Sequence, residues 1–138
     1  MTEAKSTGDP AALIGARLAE IQAHYYGRPP SGYQAYILPD AVMVILRETL
    51  TPAEMILVKR GEADGIQDIR RRFQQAVRSE FTEIVEQVTG KSVAAFMSDT
   101  DLEANICVEV FVLGDGRENM DAFEQSMTDP DATSGDAR

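Results

Sequence analysis

The chain has very little cysteine and histidine, and this limits the chemistry available to it. Among its 138 residues there is one cysteine, Cys107, and one histidine, His24. A single cysteine excludes an internal disulfide and fits a reducing compartment. A single histidine argues against a His-based zinc site. We therefore expect no bound metal and no resident cofactor.

Positive charge is also scarce. Thirteen lysines and arginines stand against 23 acidic residues, which gives a formal net charge of −10 and a pI of about 4.5. Nucleic-acid binding relies on Lys and Arg to replace the counterions around phosphates, and adsorption to anionic lipid also needs cations. We expect no nucleic-acid partner and no simple adsorption to a lipid surface.

Long apolar runs are absent. The longest, "AVMVIL" at 41–46, has the length of a strand, whereas a membrane-spanning helix needs about 20 apolar residues. The first ten residues, "MTEAKSTGDP", contain no apolar core of a signal peptide. We expect no direct membrane insertion, so any link to a membrane must run through another protein.

Capping residues and periodicity predict the elements. Asp9 and Pro10 open a helix that Gly27 ends. "YQAYIL" and "AVMVILRE" predict two strands, and the second is apolar on both faces, so we expect it to be central and covered on both sides. Thr51, Pro52 and Glu54 form a capping box that predicts a short helix over 52–60.

The second half repeats the use of a helix and a strand pair. Apolar residues at helical spacing predict a long helix over 66–89, with a stripe formed by Ile66, Ile69, Phe73, Val77, Phe81, Ile84 and Val88. "SVAAFM" and "ICVEVFVL" then predict a second strand pair, in which Ile106, Val108, Val110 and Val112 share one face.

These elements predict an α+β fold. We expect a four-stranded antiparallel sheet, made from two β-hairpins, packed with one long and two shorter helices in the order α-ββ-α-α-ββ. The domain spans 10–113. We expect residues 1–9 to be disordered and the acidic, Gly/Ser/Asp-rich segment 114–138 to be a largely disordered tail.

Asp99, Asp101 and Glu103 alternate at the tip of the second hairpin. A calcium loop counted from Asp99 would need a glycine at Ala104 and a glutamate at Val110. Neither is present, and the flanks predict strands instead of helices. We interpret these acids as a solvated hairpin tip, because turn positions favour such residues.

The long helix carries its charges against the helix dipole, with arginines in its first half and glutamates in its second. An antiparallel, isologous dimer of this helix would bring Arg70 to Glu83 and Arg72 to Glu80 of the second copy. The alternative is a solvated charged face or neutralisation within the same chain.

Four segments, "LRETLTPAE", "RRRFQQAVRSEF", "QVTGKSVAAFMSD" and "VEVFVL", together resemble the MpsC-like proteins, small bacterial proteins, over about residues 10–113. The resemblance implies a cytoplasmic protein that is accessory to a membrane-potential-generating, cation-linked system, with membrane partners tied to inorganic-carbon uptake. It carries over no catalytic or ligand-binding residue.

The resemblance also marks particular positions. Arg70, Ser98 and Asp99 match the family pattern without an evident structural reason, so with Asp101 they are the candidate ligand or partner surface. Many members have a histidine where this chain has Asp101, which counts against a metal role here.

Three functions follow as hypotheses. The first is a non-catalytic accessory or regulatory protein, homodimeric and bound to a membrane transporter subunit. The second is a sensor of a small anion such as bicarbonate or a carboxylate, held by Arg70 and its neighbouring arginines. The third is an enzyme, for which no nucleophile–base pair is visible in the sequence.

Overall fold

The structure, a computed structural model, describes residues 9–114 and 123–128. The elements are α1 (Pro10–Tyr26), β1 (Gly32–Ile37), β2 (Ala41–Arg47), α2 (Pro52–Lys59), α3 (Ala63–Thr89), β3 (Val93–Asp101) and β4 (Ile106–Leu113). This order confirms the predicted α+β fold.

The two predicted ends fall largely outside the described residues. Within the predicted tail, residues 123–128 are helical. Asp9 is described and caps α1, while 1–8, 115–122 and 129–138 are not described.

The sheet is antiparallel with the strand order β1-β2-β4-β3. The two hairpins join through β2 and β4, which are therefore the central strands. The register places Glu109 of β4 between Val44 of β2 and Ser98 of β3. The prediction that both hairpins share one sheet is confirmed.

Local signals set the helix ends. In the α2 capping box, the Glu54 amide donates to Thr51 Oγ1 at 3.2 Å, and the Thr51 amide donates to Glu54 Oε1 at 2.8 Å. Helix α3 begins at Ala63, earlier than predicted, and ends before Gly90, whose φ of 73° suits glycine.

One face of the sheet is covered by α1 and α3. Its core contains apolar residues from both helices and from the central strands: Ile14, Leu18, Val42, Val44, Leu46, Val77, Phe81, Val85 and Phe111. The predicted stripe of α3 is wrong at Ile69, which is 58% exposed. The helix instead turns Arg70 and Gln74 inward, because its buried face follows Ile66 at intervals of four residues in this half.

The other face, here called the open sheet face, is formed at its centre by Tyr36, Met43, Ile45, Met97, Val108 and Val110. These residues alternate with the buried ones along each strand, and Met97 is 54% exposed. The prediction that 106, 108, 110 and 112 share a face is confirmed. Cover on both sides of β2 is not found, because the helices α1–α3 leave this face free within the described part of the chain.

Candidate functional site

A buried polar cluster lies between α3 and the covered face of the sheet. Helix α3 contributes Arg70 and Gln74, one turn apart, and β4 contributes Glu109, all buried. Ser98 and Thr100 face the same way from β3, because they pair with Glu109 and Cys107 across the strands. Polar groups therefore concentrate where an apolar core would be expected.

Arg70 is the cation of this cluster and is only 2% exposed. Its Nε and Nη2 donate to the two carboxylate oxygens of Glu54 at 3.0 and 2.7 Å, and Nη1 and Nη2 donate to the Thr49 hydroxyl and carbonyl at 3.0 and 2.8 Å. The guanidinium also stacks 4.4 Å from the centre of the Tyr26 ring. Burial disfavours ionisation of Glu54, but the hydrogen bonds from Arg70 and Thr51 and the charge of Arg70 together outweigh it and hold the pKa of Glu54 below its ordinary value.

Glu109 is the second carboxyl of the cluster and is fully buried. Burial raises its pKa to about 7, although the Cys107 thiol and the charge of Arg70 each lower it. The Cys107 thiol donates to Glu109 Oε2 at 3.0 Å. Burial first, and the charge of Glu109 second, raise the pKa of that thiol, so Cys107 stays protonated and unreactive.

Several buried polar atoms of this region have no hydrogen-bond partner among the described residues. They include the side-chain amides of Gln22 and Gln74, the Ser98 hydroxyl and Glu109 Oε1. Beside them lies a cavity of about 10 Å³ lined by Gln67, Arg70, Arg71, Gln74, Ser98, Asp99 and Thr100. A cavity of this size holds about one water molecule. An open groove of about 260 Å³ lies beside it and shares Arg71, Gln74 and Ser98 with its lining.

The structure brings three of the four predicted surface residues to this cavity, in different roles. Arg70 is a correction: it is buried in an ion pair, so it is not part of an exposed surface and offers no free fork to an anion. Ser98 is half-buried and lines the cavity. Asp99 is exposed and accepts from Gln67 at 3.3 Å and from the Thr100 amide at 3.0 Å.

Asp101 lies apart from the cavity, at the end of β3. Its side chain accepts from the Ala104 amide at 2.9 Å and so closes the hairpin turn. Asn105 completes the turn with a φ of 57°. This geometry gives Asp101 a structural reason that the sequence alone did not show.

Of the predicted charge pairs between two α3 helices, Arg70 with Glu83 needs correction, and Arg72 with Glu80 stays a prediction. Arg70 cannot meet Glu83 of a second copy, because it is buried against Glu54. Arg72 pairs with Asp68 of its own helix at 3.2 Å, and Glu80 accepts from the Tyr25 hydroxyl at 2.8 and 3.0 Å. Glu83 remains exposed. Neutralisation within the same chain, the alternative, accounts for Arg70 through Glu54 and for Arg72 through Asp68.

Sequence reasoning missed Glu109 and Gln74. Glu109 carried a signal: it is an acid inside the apolar run "ICVEVFVL", in phase with Cys107, Phe111 and Leu113. Gln74 carried a weaker one, four residues after Arg70. The burial of Glu109 could not be predicted without knowing which face of β4 is covered, and that of Gln74 could not be predicted without knowing which side of α3 packs on the sheet.

A second feature is the apolar exterior of α2, here called the α2 surface, formed by Met55, Ile56 and Leu57. These side chains are 39%, 58% and 43% exposed, and no residue of α2 is buried. Beside it a groove of about 250 Å³ is lined by Leu50, Met55, Val58, Lys59, Leu102, Glu103 and Asn105.

Two further searches concern metals and membranes. Within 9–114 and 123–128, no group of three or more His, Cys, Asp or Glu side chains could hold a metal ion. The helices in those same ranges include none that is long and apolar enough to cross a bilayer.

Comparison with known proteins places this architecture. Residues 7–115 match the family described as "Na+-translocating membrane potential-generating system (MpsC)". The chain belongs to the MpsC family. It is also similar to the "Uncharacterized protein YbcI" of Bacillus subtilis (strain 168), with 29% identity over 112 residues that cover 79% of this chain and 89% of that protein. No solved structure matches it.

The MpsC match contains every feature described above. The buried polar cluster, the open sheet face and the α2 surface all lie within 7–115. The family resemblance inferred from the four sequence segments is therefore confirmed, over a span close to the predicted one.

Proposed function

We propose that this protein is a non-catalytic accessory or regulatory component of a Na+-translocating, membrane-potential-generating system. It acts in the cytoplasm as a homodimer and docks on a membrane-embedded subunit of that system. The family description supports the link to the system. The observation that carries the docking role is the α2 surface.

The α2 surface has the character of a binding site for protein. A helix of eight residues normally gains its stability by burying an apolar face, yet α2 leaves Met55, Ile56 and Leu57 exposed. Its N-terminal end is secured by the capping box and by the Glu54–Arg70 pair. The fold thus holds α2 rigidly while presenting apolar side chains outward, which is how interface cores are built.

Charge favours a partner in a membrane. The chain carries a net charge of −10, and the cytoplasmic loops of membrane proteins are enriched in Lys and Arg. Opposite charge steers two such partners together and weakens as ionic strength rises. An acidic protein with a local apolar patch therefore suits a cytoplasmic face of a transporter.

The geometry of the buried polar cluster supports a structural role for its residues over a catalytic role. Glu109 and Cys107, the two groups that could act as a base or a nucleophile, are buried and hydrogen-bonded to each other. The adjacent cavity of about 10 Å³ is too small for bicarbonate or a carboxylate. Four donations to Thr49 and Glu54 occupy Arg70, so the anion-sensor hypothesis lacks its main ligand.

The test is a measurement of the Na+-dependent membrane potential in host cells that lack this gene. Potential is followed with a voltage-sensitive dye in sodium medium and in potassium medium. We expect loss of the gene to lower the sodium-dependent part and wild-type protein to restore it. The double variant Ile56→Asp/Leu57→Asp should restore it poorly, because the charges oppose docking.

Leu13→Asp on α1 is the matched control, since Leu13 is 37% exposed on a different helix. It should restore the potential as the wild type does. An unchanged sodium-dependent potential in the deletion strain would refute the accessory role. Full activity of the α2 double variant would refute the docking surface alone.

A further inference from the structure

The open sheet face is the largest surface that the proposed function leaves unexplained. We infer that a second copy of this chain covers it, so that two sheets pack face to face around a two-fold axis. The inference deepens the homodimer of the proposed function and rests on it. It places the interface on the sheet and not on helix α3.

The composition of the face is that of a buried surface. Antiparallel sheets with one face in water normally alternate apolar inward and polar outward residues. Here the outward residues of the two central strands are apolar except for Arg47 at one end: Ala41, Met43, Ile45, Arg47, Ile106, Val108, Val110 and Val112. Contiguous apolar patches of this kind mark interaction sites on soluble proteins.

The segment that follows β4 is a poor candidate for the cover. The family match covers residues 7–115, so the face lies within the matched domain and the following segment does not. Residues 115–138 also contain seven acidic and two basic residues. A second copy of the matched domain supplies a cover that does not depend on the segment after residue 115.

The strand order makes the face self-complementary. With the order β1-β2-β4-β3, a two-fold axis parallel to the strands and between β2 and β4 places β2 on β4 of the second copy. It also places β1 on β3 of the second copy. Met43 then lies opposite Val110 of the second copy, and Tyr36 lies opposite its Met97, because each pair shares a register row.

The charges of the face agree with this axis. Arg47, Ile106 and Asp101 share the row at one end of the sheet. The Arg47 side chain leans toward β1, since its Cδ lies 3.9 Å from the position a Cβ would take on Gly32. The axis lays Asp101 of the second copy over Gly32, and the missing side chain leaves Arg47 room to reach it across about 10 Å between packed sheets.

The size of the face is sufficient for a modest dimer. Four strands about 4.8 Å apart and about seven residues long give a flat footprint of roughly 20 by 23 Å. Side chains make the accessible area larger than this footprint. Two such faces therefore bury on the order of 1,000 Å², which is near the minimum for a biological interface and below the size of a standard one.

The first experiment measures the mass of the full chain by light scattering after gel filtration at micromolar concentration. We expect a dimer for the wild type, and a monomer for Val110→Lys, which places a charge at the centre of the face. Ile69→Lys on α3 is the control, since Ile69 is 58% exposed on a surface outside the proposed interface. It should remain a dimer, and circular dichroism should show that both variants are folded.

A charge exchange tests the axis itself. Arg47→Glu and Asp101→Arg should each weaken the dimer at least about tenfold, because like charges then meet. An equal mixture of the two variants should dimerise again. In the mixed dimer the introduced glutamate meets the introduced arginine, and the native Arg47 of one copy meets the native Asp101 of the other. A merely unfolded variant could not be rescued in this way.

The outcomes separate this inference from the proposed function. A monomeric wild type, a dimer that Ile69→Lys breaks and Val110→Lys does not, or a mixture that fails to dimerise would overturn the inference. A monomeric wild type that still restores the sodium-dependent potential would leave the accessory role standing. A sheet-paired dimer without any effect on the sodium-dependent potential would support the interface and refute the accessory role.

Discussion

The two faces of the sheet differ from the usual pattern, because the covered face contains buried polar residues and the open sheet face is apolar at its centre. The face covered by α1 and α3 holds Arg70, Gln74 and Glu109 in its interior, whereas the open sheet face is apolar at its centre. In most antiparallel sheets the buried side is the apolar one. The difference shows that some apolar residues of the sheet lie outside the core of a single copy of the chain.

The covered face is stabilised by pairing as well as by apolar packing. An uncompensated buried charge is far more unfavourable than a solvated one. Each polar group there therefore depends on a particular neighbour, and its replacement has a large effect. Residues of the open sheet face depend on few neighbours within one copy, so their replacement affects association before it affects folding.

Arg70→Met gives the largest expected effect on the covered face. It leaves Glu54 and Thr49 buried without their donor, so we expect the free energy of unfolding to fall by about 3–5 kcal/mol. Arg72→Met is the control, because its pair with Asp68 is exposed and contributes at most about 0.5 kcal/mol. Urea denaturation measures both, and a similar loss for the two variants would break the comparison between buried and exposed pairs.

Glu109→Gln tests the second buried carboxyl through pH. The pKa of Glu109 rises from an ordinary 4.5 to about 7 on folding, so the folded protein keeps a proton that the unfolded chain releases within this window. The contribution of Glu109 to stability is thus greatest below pH 4.5 and falls by about 3 kcal/mol by pH 7.

The glutamine variant has no proton to lose, so this slope should disappear from its stability curve. Glu103→Gln, at an exposed position of the hairpin tip, should keep it. The pKa of Glu54 is lowered, so its effect appears only as pH falls below its ordinary value and does not overlap this window. Thermal unfolding across this pH range is the measurement, and parallel curves for wild type and Glu109→Gln would contradict it.

The same substitution on both faces gives the sharpest contrast. Val44→Thr places a hydroxyl in the covered core, where Val44 is fully buried, and should lower stability by about 1–2 kcal/mol. Val108→Thr on the open sheet face should change it by less than about 0.5 kcal/mol in dilute, monomeric protein. Equal losses in urea denaturation at low concentration would show that the open face is buried within one copy.

Thr51→Ala tests how the cap of α2 positions Glu54 toward the covered face. Loss of the cap hydroxyl should lower stability by about 1 kcal/mol. Thr82→Ala is the control, because that hydroxyl donates to the Arg78 carbonyl of its own helix and not to a cap. A Thr51→Ala variant as stable as wild type in urea would mean that Arg70 and the Thr51 backbone amide fix Glu54 without the cap hydroxyl.

Local signals predicted the order of elements, the capping box at Thr51 and the stop at Gly90, since these depend on neighbours in sequence. The inward rotation of Arg70 in place of Ile69 could not be predicted, because α2 supplies the compensating Glu54 from outside the helix. For the same reason the alternation in β4 predicted two faces but not which one α1 and α3 would cover.

The position of β4 between β2 and β3 has a consequence for synthesis. Until residues 106–113 emerge, one edge of β2 is unpaired and β3 has no partner strand, so β3 cannot join the sheet. The sheet must therefore form late and in one cooperative step, through contacts distant in sequence. A chain interrupted before β4 would carry two aggregation-prone edges together, the situation in which nascent proteins most need a chaperone.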